Sequence, residues 1–391
     1  MARRPGEQPE NGPVAKIGHV PELTTYAEID LGALERNLAV IRARVQRPIL
    51  LPVKANAYGH GLVPIALAAT ADGWADWLGV ATVAEGVELR QAGVRAPILK
   101  LSSVLPDEAE AAVGNDLRLT VTDAAGVEAV ARAASSSGAI ARVHLKIDTG
   151  MRRIGVEPEA AVELAQLVER LPDVELDGVF THLAVADDPA QDEFTKLQLG
   201  RFREAVDAIT ARLGRRPGLV HAANSGGVLA HPDSWLDLVR PGIMSYGYYP
   251  DAATPKTVAV EPVLRLVTHL TFVKPVRAGE TVSYGRTWAP SADTRIGTFP
   301  VGYGDGYSRR LSNRASVLVG GRRRPQVGTV CMDQAMVDLG PGSDAGPGER
   351  VTLIGADGSE QVTADELAEI VGTISYEVLC DLDHRVPRVY R

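Results

Sequence analysis

The chemistry of this chain is expected around Lys54, which follows a short apolar run. The run Ile49-Leu50-Leu51 is too short for a helix and is bounded by prolines, which indicates a buried strand. Lys54 lies where that strand ends, and Gly59 and Gly61 loosen the chain before the next helical stretch. An amine that is partly withdrawn from water has a lowered pKa and can attack carbonyl groups. A solvated lysine at a strand end is the alternative.

Other polar side chains also follow predicted strands. Lys146 ends one strand, with Asp148 and Arg153 close behind, and on its own this string is an ion cluster at a strand end. His182 and His221 end the next two strands. Two histidines at adjacent strand ends, on the face that holds Lys54, favour a functional site over a structural role.

A phosphate site is predicted near the end of the same region. Ser225 is followed by glycines at a helix start, where backbone N–H groups can capture phosphate. The loops after the last two strands of a barrel are a common phosphate site. Gly242 and Ile243 can offer backbone N–H groups there, whereas Pro241 cannot.

The elements that must position these residues alternate between strands and helices. With the strand before Lys54, there are about eight strand candidates: Trp77–Ala81, Pro97–Leu101, Leu117–Val121, Ala141–Ile147, Leu176–Thr181, Leu219–Ala223 and Leu238–Ile243. This alternation predicts an α/β fold, a (β/α)8 TIM-type barrel over residues 26–255. An open doubly wound sheet is the alternative, although no Gly-x-Gly-x-x-Gly follows the first strand.

The segments on either side of residues 26–255 differ from that region in composition. Residues 256–391 contain short runs rich in Val, Ile and Thr with Gly-Pro turns between them, which predicts a mostly β C-terminal domain. Its strand candidates are Val263–Val276, Thr281–Tyr284, Arg295–Val301, Ala315–Val319, Gln326–Val330, Ala335–Leu339 and Arg350–Ile354. Residues 1–25 are rich in Pro, Gly and charge and are predicted to be a flexible extension.

Composition restricts the class of protein. The 391 residues carry a net charge of −8, which argues against nucleic acid and anionic membrane as partners. Only two cysteines occur, so neither a disulfide framework nor a metal site is expected. No apolar run reaches the roughly 18 residues of a membrane helix. A cytoplasmic protein is therefore expected.

The string from Val53 to Gly61, Val-Lys-Ala-Asn-Ala-Tyr-Gly-His-Gly, resembles the cofactor-lysine motif of the alanine racemases. These are barrel-type enzymes that depend on pyridoxal 5'-phosphate. Further motifs follow in the family's order, and the resemblance runs from about Tyr26 to the C-terminus. It implies a homodimer with shared active sites that interconverts L-alanine and D-alanine and supplies D-alanine for cell-wall peptidoglycan.

The resemblance implies a two-base mechanism. Lys54 holds the cofactor as an aldimine and exchanges the proton of the D-isomer. Tyr284, within Val282-Ser283-Tyr284-Gly285, is the second base and crosses the dimer interface. On position alone, a tyrosine in a predicted strand is more often a packing residue.

The remaining roles follow from the same resemblance. Lys146 is often carbamylated in the family and orients Arg153, while Arg240 faces the pyridine nitrogen and His221 supports the ring. Arg152 departs from the small residue common at its position. The implied cofactor-binding residues are Lys54, Tyr58, Arg153, His182, Ser225, Arg240, Gly242, Ile243 and Tyr376. Substrate is bound by Arg153 and Met332, and the entrance is shaped by Tyr303 and Asp333.

Three other functions share part of this residue pattern. Amino-acid decarboxylases of similar architecture usually face the pyridine nitrogen with a carboxylate, and Arg240 argues against them. Non-catalytic cofactor-binding proteins resemble the barrel alone, and the β-rich domain argues against them. A Schiff-base aldolase without cofactor gives no reason for phosphate ligands. The preference for alanine over serine or another small amino acid stays open.

Overall fold

A computed structural model describes residues 24–391, so the predicted extension lies almost wholly outside the described residues. The described chain begins with strand β1 (Tyr26–Ile29) and helix α1 (Leu31–Val45). Asp30 caps this helix, because its carboxylate accepts the N–H of Ala33 at 2.8 Å. Leu34, Leu38, Ile41 and Val45 recur at helical spacing in the sequence, and all four are buried.

Seven parallel strands form the barrel sheet, in the order in which they occur along the chain. They are β2 (Leu50–Pro52), β3 (Trp77–Val80), β4 (Ile98–Ser103), β5 (Arg118–Val121), β6 (Ala141–Lys146), β7 (Val174–Phe180) and β8 (Leu219–His221). A doubly wound sheet reverses its strand order at a switch point, and this sheet has no such reversal. The barrel-type prediction is therefore confirmed against its alternative.

Helical segments separate these strands. They are α2 (Lys54–Tyr58), α3 (Leu62–Ala71), α4 (Val83–Gln91), α5 (Ala109–Gly114), α6 (Ala124–Ser137), α7 (Ala161–Arg170), α8 (Asp192–Leu213) and α9 (Ser225–Ala230). Asp123 caps α6 through a 2.7 Å contact from the N–H of Gly126. The side chain of Thr82 and that of Glu85 form a reciprocal capping box at α4.

The predicted eighth strand, Leu238–Ile243, is not a strand. Val239 makes only an isolated parallel bridge with Ile49. The N–H of Leu50 donates to the carbonyl of Val239 at 2.9 Å, and the N–H of Arg240 donates to that of Ala223 at 2.9 Å. The segment therefore joins β2 to the chain after β8 and curls the sheet back on itself. The ladder stops because Pro241 has no N–H to extend it.

The second sheet contains most of the later chain. Its strands are β9 (Leu264–His269), β10 (Phe272–Val276), β11 (Thr294–Phe299), β12 (Ser316–Val319), β13 (Arg322–Val327), β14 (Ala335–Asp338), β15 (Arg350–Asp357), β16 (Glu360–Val362) and β17 (Arg388–Tyr390). Two helices, α10 (Ala364–Val371) and α11 (Ser375–Cys380), follow β16. The mostly β prediction is confirmed.

One predicted strand of this region, Thr281–Tyr284, is wrong. Val282 makes a single bridge with Trp288, and Tyr284 begins a short 3-10 turn. The extended run breaks because Ser283 has a φ of +67° and Gly285 a φ of +73°.

The first and last described strands both belong to the second sheet. Although β1 lies within residues 26–255, it pairs antiparallel with β9 and parallel with β17. The C-terminal strand therefore lies beside the start of the chain. The division of the chain near residue 255 stays a prediction.

Candidate active site

A cavity of about 350 Å³ lies at the carboxyl ends of the barrel strands. Nine residues singled out in the sequence line it: Lys54, Tyr58, Lys146, Arg153, His182, Ser225, Arg240, Gly242 and Tyr376. Ile243 lies directly behind them and is fully buried. The tertiary structure thus gathers residues that are spread over more than 300 positions.

Lys54 is followed by a backbone turn with left-handed dihedral angles. Ala55, Asn56, Ala57 and Tyr58 have φ values between 52° and 54°. A left-handed turn costs roughly 1–2 kcal/mol for each residue that is not glycine. Contacts with neighbouring residues must offset that cost, because a strained backbone conformation persists only where the surrounding structure stabilises it.

Side chains hold both ends of this turn. The N–H of Ala55 donates to Oε1 of Glu85 at 2.7 Å, and the N–H of Leu62 donates to Oδ1 of Asn56 at 2.8 Å. His60 is fully buried, and burial lowers its pKa to about 4, so its neutral ring donates through Nδ1 to carbonyls of the turn. The direction of the Lys54 side chain is therefore fixed by these hydrogen bonds and not by strand β2 alone.

The electrostatics of the cavity favour an anionic ligand. Four cations line it, against Asp187 as the one carboxylate among its lining residues. Within residues 24–391, neither Lys54 nor Arg153 has an ion-pair partner. Burial, and then the charge of Arg153, lowers the pKa of Lys54. The same two causes lower the pKa of Lys146 to about 7.

Arg240 lies at the head of a buried hydrogen-bonded chain. Its Nη1 lies 2.7 Å from Nδ1 of His221, and Nε2 of His221 lies 2.8 Å from Nδ1 of His144. Beyond these hydrogen bonds, Nε2 of His144 lies 3.5 Å from Oδ2 of Asp177 in β7. Arg240 also donates to the carbonyls of Thr181 and Ala222. Burial lowers the pKa of Arg240 to about 9, so it remains a cation at neutral pH.

The predicted phosphate residues form a cradle at one end of the cavity. The N–H of Gly242 points to Oγ of Ser225 at 2.9 Å. A Cβ at Gly242 would lie 2.8 Å from Oη of Tyr58 and would fill the space between the two side chains. The ring of Tyr376 lies 6.0 Å from that of Tyr58. The hydroxyls of Tyr58 and Ser225 around a position that lacks a side chain, with Tyr376 beside Tyr58, suit a phosphate group.

Four predicted residues lie elsewhere, on the surface of the second sheet. Tyr284 is 73% exposed, Met332 is 53% exposed and Tyr303 is 44% exposed, and none of them lines the cavity. Hydrogen bonds hold them together with Asp333, because Oγ1 of Thr329 donates to the carbonyl of Tyr284 and the N–H of Tyr303 donates to the carbonyl of Cys331. Tyr284, Tyr303, Met332 and Asp333 are called the exposed cluster below.

Sequence reasoning missed several neighbours of the site. His144 and Asp177 belong to the chain behind Arg240, and Phe180 stacks on His221 with ring centroids 4.9 Å apart. Asp187 and Cys380 also line the cavity. One signal was available, because His144 precedes Lys146 by two positions and strand alternation puts both on one face.

Comparisons with known proteins agree along the whole described chain. A family model described as "Alanine racemase, N-terminal domain" matches residues 29–250, and "Alanine racemase, C-terminal domain" matches residues 263–390. Alanine racemases of Cutibacterium acnes and Symbiobacterium thermophilum are each 47% identical over 94% of this chain and 97% of their own length.

Solved structures give the same result. Alanine racemase of Clostridium difficile 630 has a TM-score of 0.90 at 36% identity, covering 95% of this chain and 97% of that one. The enzyme of Streptomyces lavendulae has a TM-score of 0.89 at 37% identity, covering 95% and 98%. A histidine racemase of Leuconostoc mesenteroides also matches, with a TM-score of 0.87 at 29% identity over 95% and 99%. Among residues 24–391, no helix is long and apolar enough to cross a membrane.

Proposed function

This chain belongs to the alanine racemase family, and we propose that it interconverts L-alanine and D-alanine with pyridoxal 5'-phosphate bound covalently at Lys54. The main observation in support of this proposal is the position of Lys54. It is a partly buried amine that has no ion-pair partner within residues 24–391, in a cavity that combines excess positive charge with a phosphate cradle.

The residues of this chain fit the cofactor. When bound, pyridoxal 5'-phosphate supplies an electron sink for the negative charge that develops at the substrate Cα. The phosphate is held by Tyr58, Ser225, Gly242, Ile243 and Tyr376. Arg240 donates a hydrogen bond to the pyridine nitrogen, because a guanidinium offers only donors.

Arg153 and Lys54 act at the other end of the ring. The guanidinium of Arg153 has no carboxylate partner within the described residues and is free to pair with the carboxylate of the amino acid. Burial and the charge of Arg153 lower the pKa of Lys54, which favours the neutral amine, the form that can accept a proton on one face of the substrate.

Racemisation requires a second proton carrier on the opposite face. The described chain places Tyr284 outside the cavity and largely exposed. We propose that a symmetric homodimer closes the site and that Tyr284 of the partner subunit is the second base. The exposed cluster as a whole then faces the cavity of the other subunit, where Met332 binds substrate and Tyr303 and Asp333 narrow the entrance.

Two further assignments depend on this activity. A racemase of alanine supplies D-alanine, and we propose cell-wall peptidoglycan as its destination and the cytoplasm as its location. The preference for alanine requires a direct test, since a protein named a histidine racemase shares the fold.

The experiment is racemisation in heavy water. The purified protein is incubated with L-alanine, and chiral chromatography and mass spectrometry follow D-alanine and deuterium at Cα. We expect both to appear together, and we expect Lys54→Ala to lower the rate by roughly 10²-fold or more. L-serine and L-histidine are run in parallel as competing substrates.

Covalent binding of the cofactor can be tested separately from activity. We expect the purified protein to be yellow, and borohydride followed by peptide mapping should locate the cofactor on Lys54. Label on another lysine, or a protein that binds cofactor but exchanges no Cα proton, would contradict the proposal.

A further inference from the structure

The turn that carries Lys54 is held from the far end of the chain by Arg388. This side chain lies in β17, and its Nε donates to the carbonyl of Gly59 at 2.9 Å. Its Nη1 donates to the carbonyls of Asp383 and Val386, each at 2.7 Å, and its Nη2 donates to that of Leu382 at 2.6 Å. Arg388 therefore joins four backbone carbonyls and, within residues 24–391, pairs with no carboxylate.

The contact with Gly59 falls at the end of the strained turn. Gly59 itself has a φ of +84°, so the left-handed path runs through five consecutive residues. Side chains of the barrel domain bind the backbone N–H groups on either side of the turn, Glu85 at Ala55 and Asn56 at Leu62. The carbonyl of Gly59 is instead held by a donor from the C-terminal strand.

The C-terminal segment also leaves no room for the turn to relax. A Cβ at Gly59 would lie 2.0 Å from the carbonyl oxygen of Leu379. A Cβ at Gly61 would lie 1.8 Å from Oη of Tyr390. The end of the turn is thus enclosed by α11 on one side and by β17 on the other.

Only arginine can make this set of contacts. Its planar guanidinium presents several donors in a fixed geometry, whereas a lysine presents one nitrogen. Burial lowers the pKa of Arg388 without a carboxylate to compensate by direct contact. A partly buried cation that is held by carbonyl oxygens, with no carboxylate in contact, is costly to retain unless its geometry is needed.

We propose that Arg388 is a positioning residue, which fixes the direction of the Lys54 amine through the carbonyl of Gly59. Its relevance to cofactor binding rests on the function proposed above. The C-terminal strand, through its pairing with β1, is thereby a part of the site's support.

The test compares Arg388→Ala, Arg388→Lys and Arg391→Ala in the full-length protein. Arg391 is the matched control, because it is a neighbouring C-terminal arginine that pairs with Glu28 and is 61% exposed in its side chain. Hydrogen exchange by mass spectrometry follows the amides of residues 57–61, whose hydrogen bonds lie within the turn. Cofactor loss during dialysis is followed by absorbance.

We expect about tenfold faster exchange at residues 57–61 in both Arg388 variants, with strands β5 and β6 unchanged. Cofactor should dissociate about tenfold faster from the same variants, in line with the loss of hydrogen bonds from a charged group. Added millimolar guanidinium should slow exchange in Arg388→Ala. Arg391→Ala should behave as wild type.

Wild-type exchange in Arg388→Ala would overturn the proposal, as would full retention by Arg388→Lys. Exchange that accelerates equally in β5 and β6 would show a general stabilising role and would also overturn it. If wild type binds no cofactor but the exchange difference remains, the positioning of the turn stands and the proposed function fails.

Discussion

Nη1 of Arg240 lies 2.7 Å from Nδ1 of His221, and this contact sets the protonation of two buried histidines. A guanidinium can only donate, so Nδ1 of His221 is an acceptor and its proton is on Nε2. That proton is donated to Nδ1 of His144, which places the proton of His144 on Nε2, toward Asp177. Burial lowers the pKa of both histidines, which agrees with two neutral rings.

Substitution of His221 should therefore weaken the site through Arg240. In His221→Phe, the buried Nη1 loses its acceptor, and we expect racemisation to fall roughly tenfold or more. His221→Gln, which can still accept, should recover part of the rate. His269→Phe, in β9 outside the site, is the control. An unchanged rate in His221→Phe with an intact fold would contradict the role assigned to this contact.

Lys146 should make stability depend on pH. Its pKa falls from the ordinary 10.5 to about 7 on folding. Between these pH values the unfolded chain binds a proton that the folded chain does not, so stability rises with pH across this window. The cost of burying the charged amine is fully present below pH 7 and disappears as the pH approaches the unfolded pKa.

The neutral variant Lys146→Met should consequently be stabilised at low pH. In buffer free of carbon dioxide, we expect a gain of roughly 1–3 kcal/mol in the free energy of unfolding near pH 6.5. The gain should shrink toward pH 10. Urea unfolding at several pH values measures it, and the exposed Lys196→Met is the control. A gain that is constant with pH would show that Lys146 is not the titrating group.

The same low pKa should allow Lys146 to form a carbamate, since only a neutral amine reacts with carbon dioxide. A carbamate would place an anion beside Arg153 and would remove the repulsion between two cations. We expect Lys146→Ala to be less active than wild type and a small added carboxylate to restore part of the rate. If Lys146→Ala equals wild type, the carbamate has no functional role.

A side chain at Gly242 should weaken cofactor binding, because it would clash with a residue of the phosphate cradle. A Cβ at this position would lie 2.8 Å from Oη of Tyr58. We expect Gly242→Ala to fold and to bind pyridoxal 5'-phosphate about tenfold more weakly, as a displaced hydroxyl would cause. Equilibrium binding by absorbance measures it. Gly200→Ala, which meets no atom within 4 Å, should bind like wild type.

A subunit-mixing experiment tests the two bases together. Lys54→Ala and Tyr284→Phe homodimers should each be nearly inactive, because every site lacks one base. After the two variants are unfolded together and refolded with cofactor, half of the dimers are mixed and each has one complete site. Activity should recover to roughly a quarter of wild type. A mixture no more active than its parts, despite proven subunit exchange, would show that both bases belong to one chain or that one assignment is wrong.

The sequence by itself determined the elements whose signals are local. Asp30 is a residue type that favours a helix start, and the apolar residues from Leu34 to Val45 recur at helical spacing, which matches the start and the buried face of α1. The order of strands and helices was enough for the barrel. Polar residues at strand ends, together with the family resemblance that added Tyr58 and Tyr376, identified nine residues of the cavity. These inferences succeed because a cap, a period or a strand end depends on a few neighbouring residues.

Only the tertiary structure decided the features that depend on distant parts of the chain. Arg388 and Gly59 are 329 positions apart, and nothing near either residue indicates their contact. The left-handed turn after Lys54 is locally unfavourable, so residue preferences point away from it and only the surrounding contacts stabilise it. Strand β1 likewise paired with β9 and β17, because partner choice in a sheet depends on which edge is free and not on the strand's own residues.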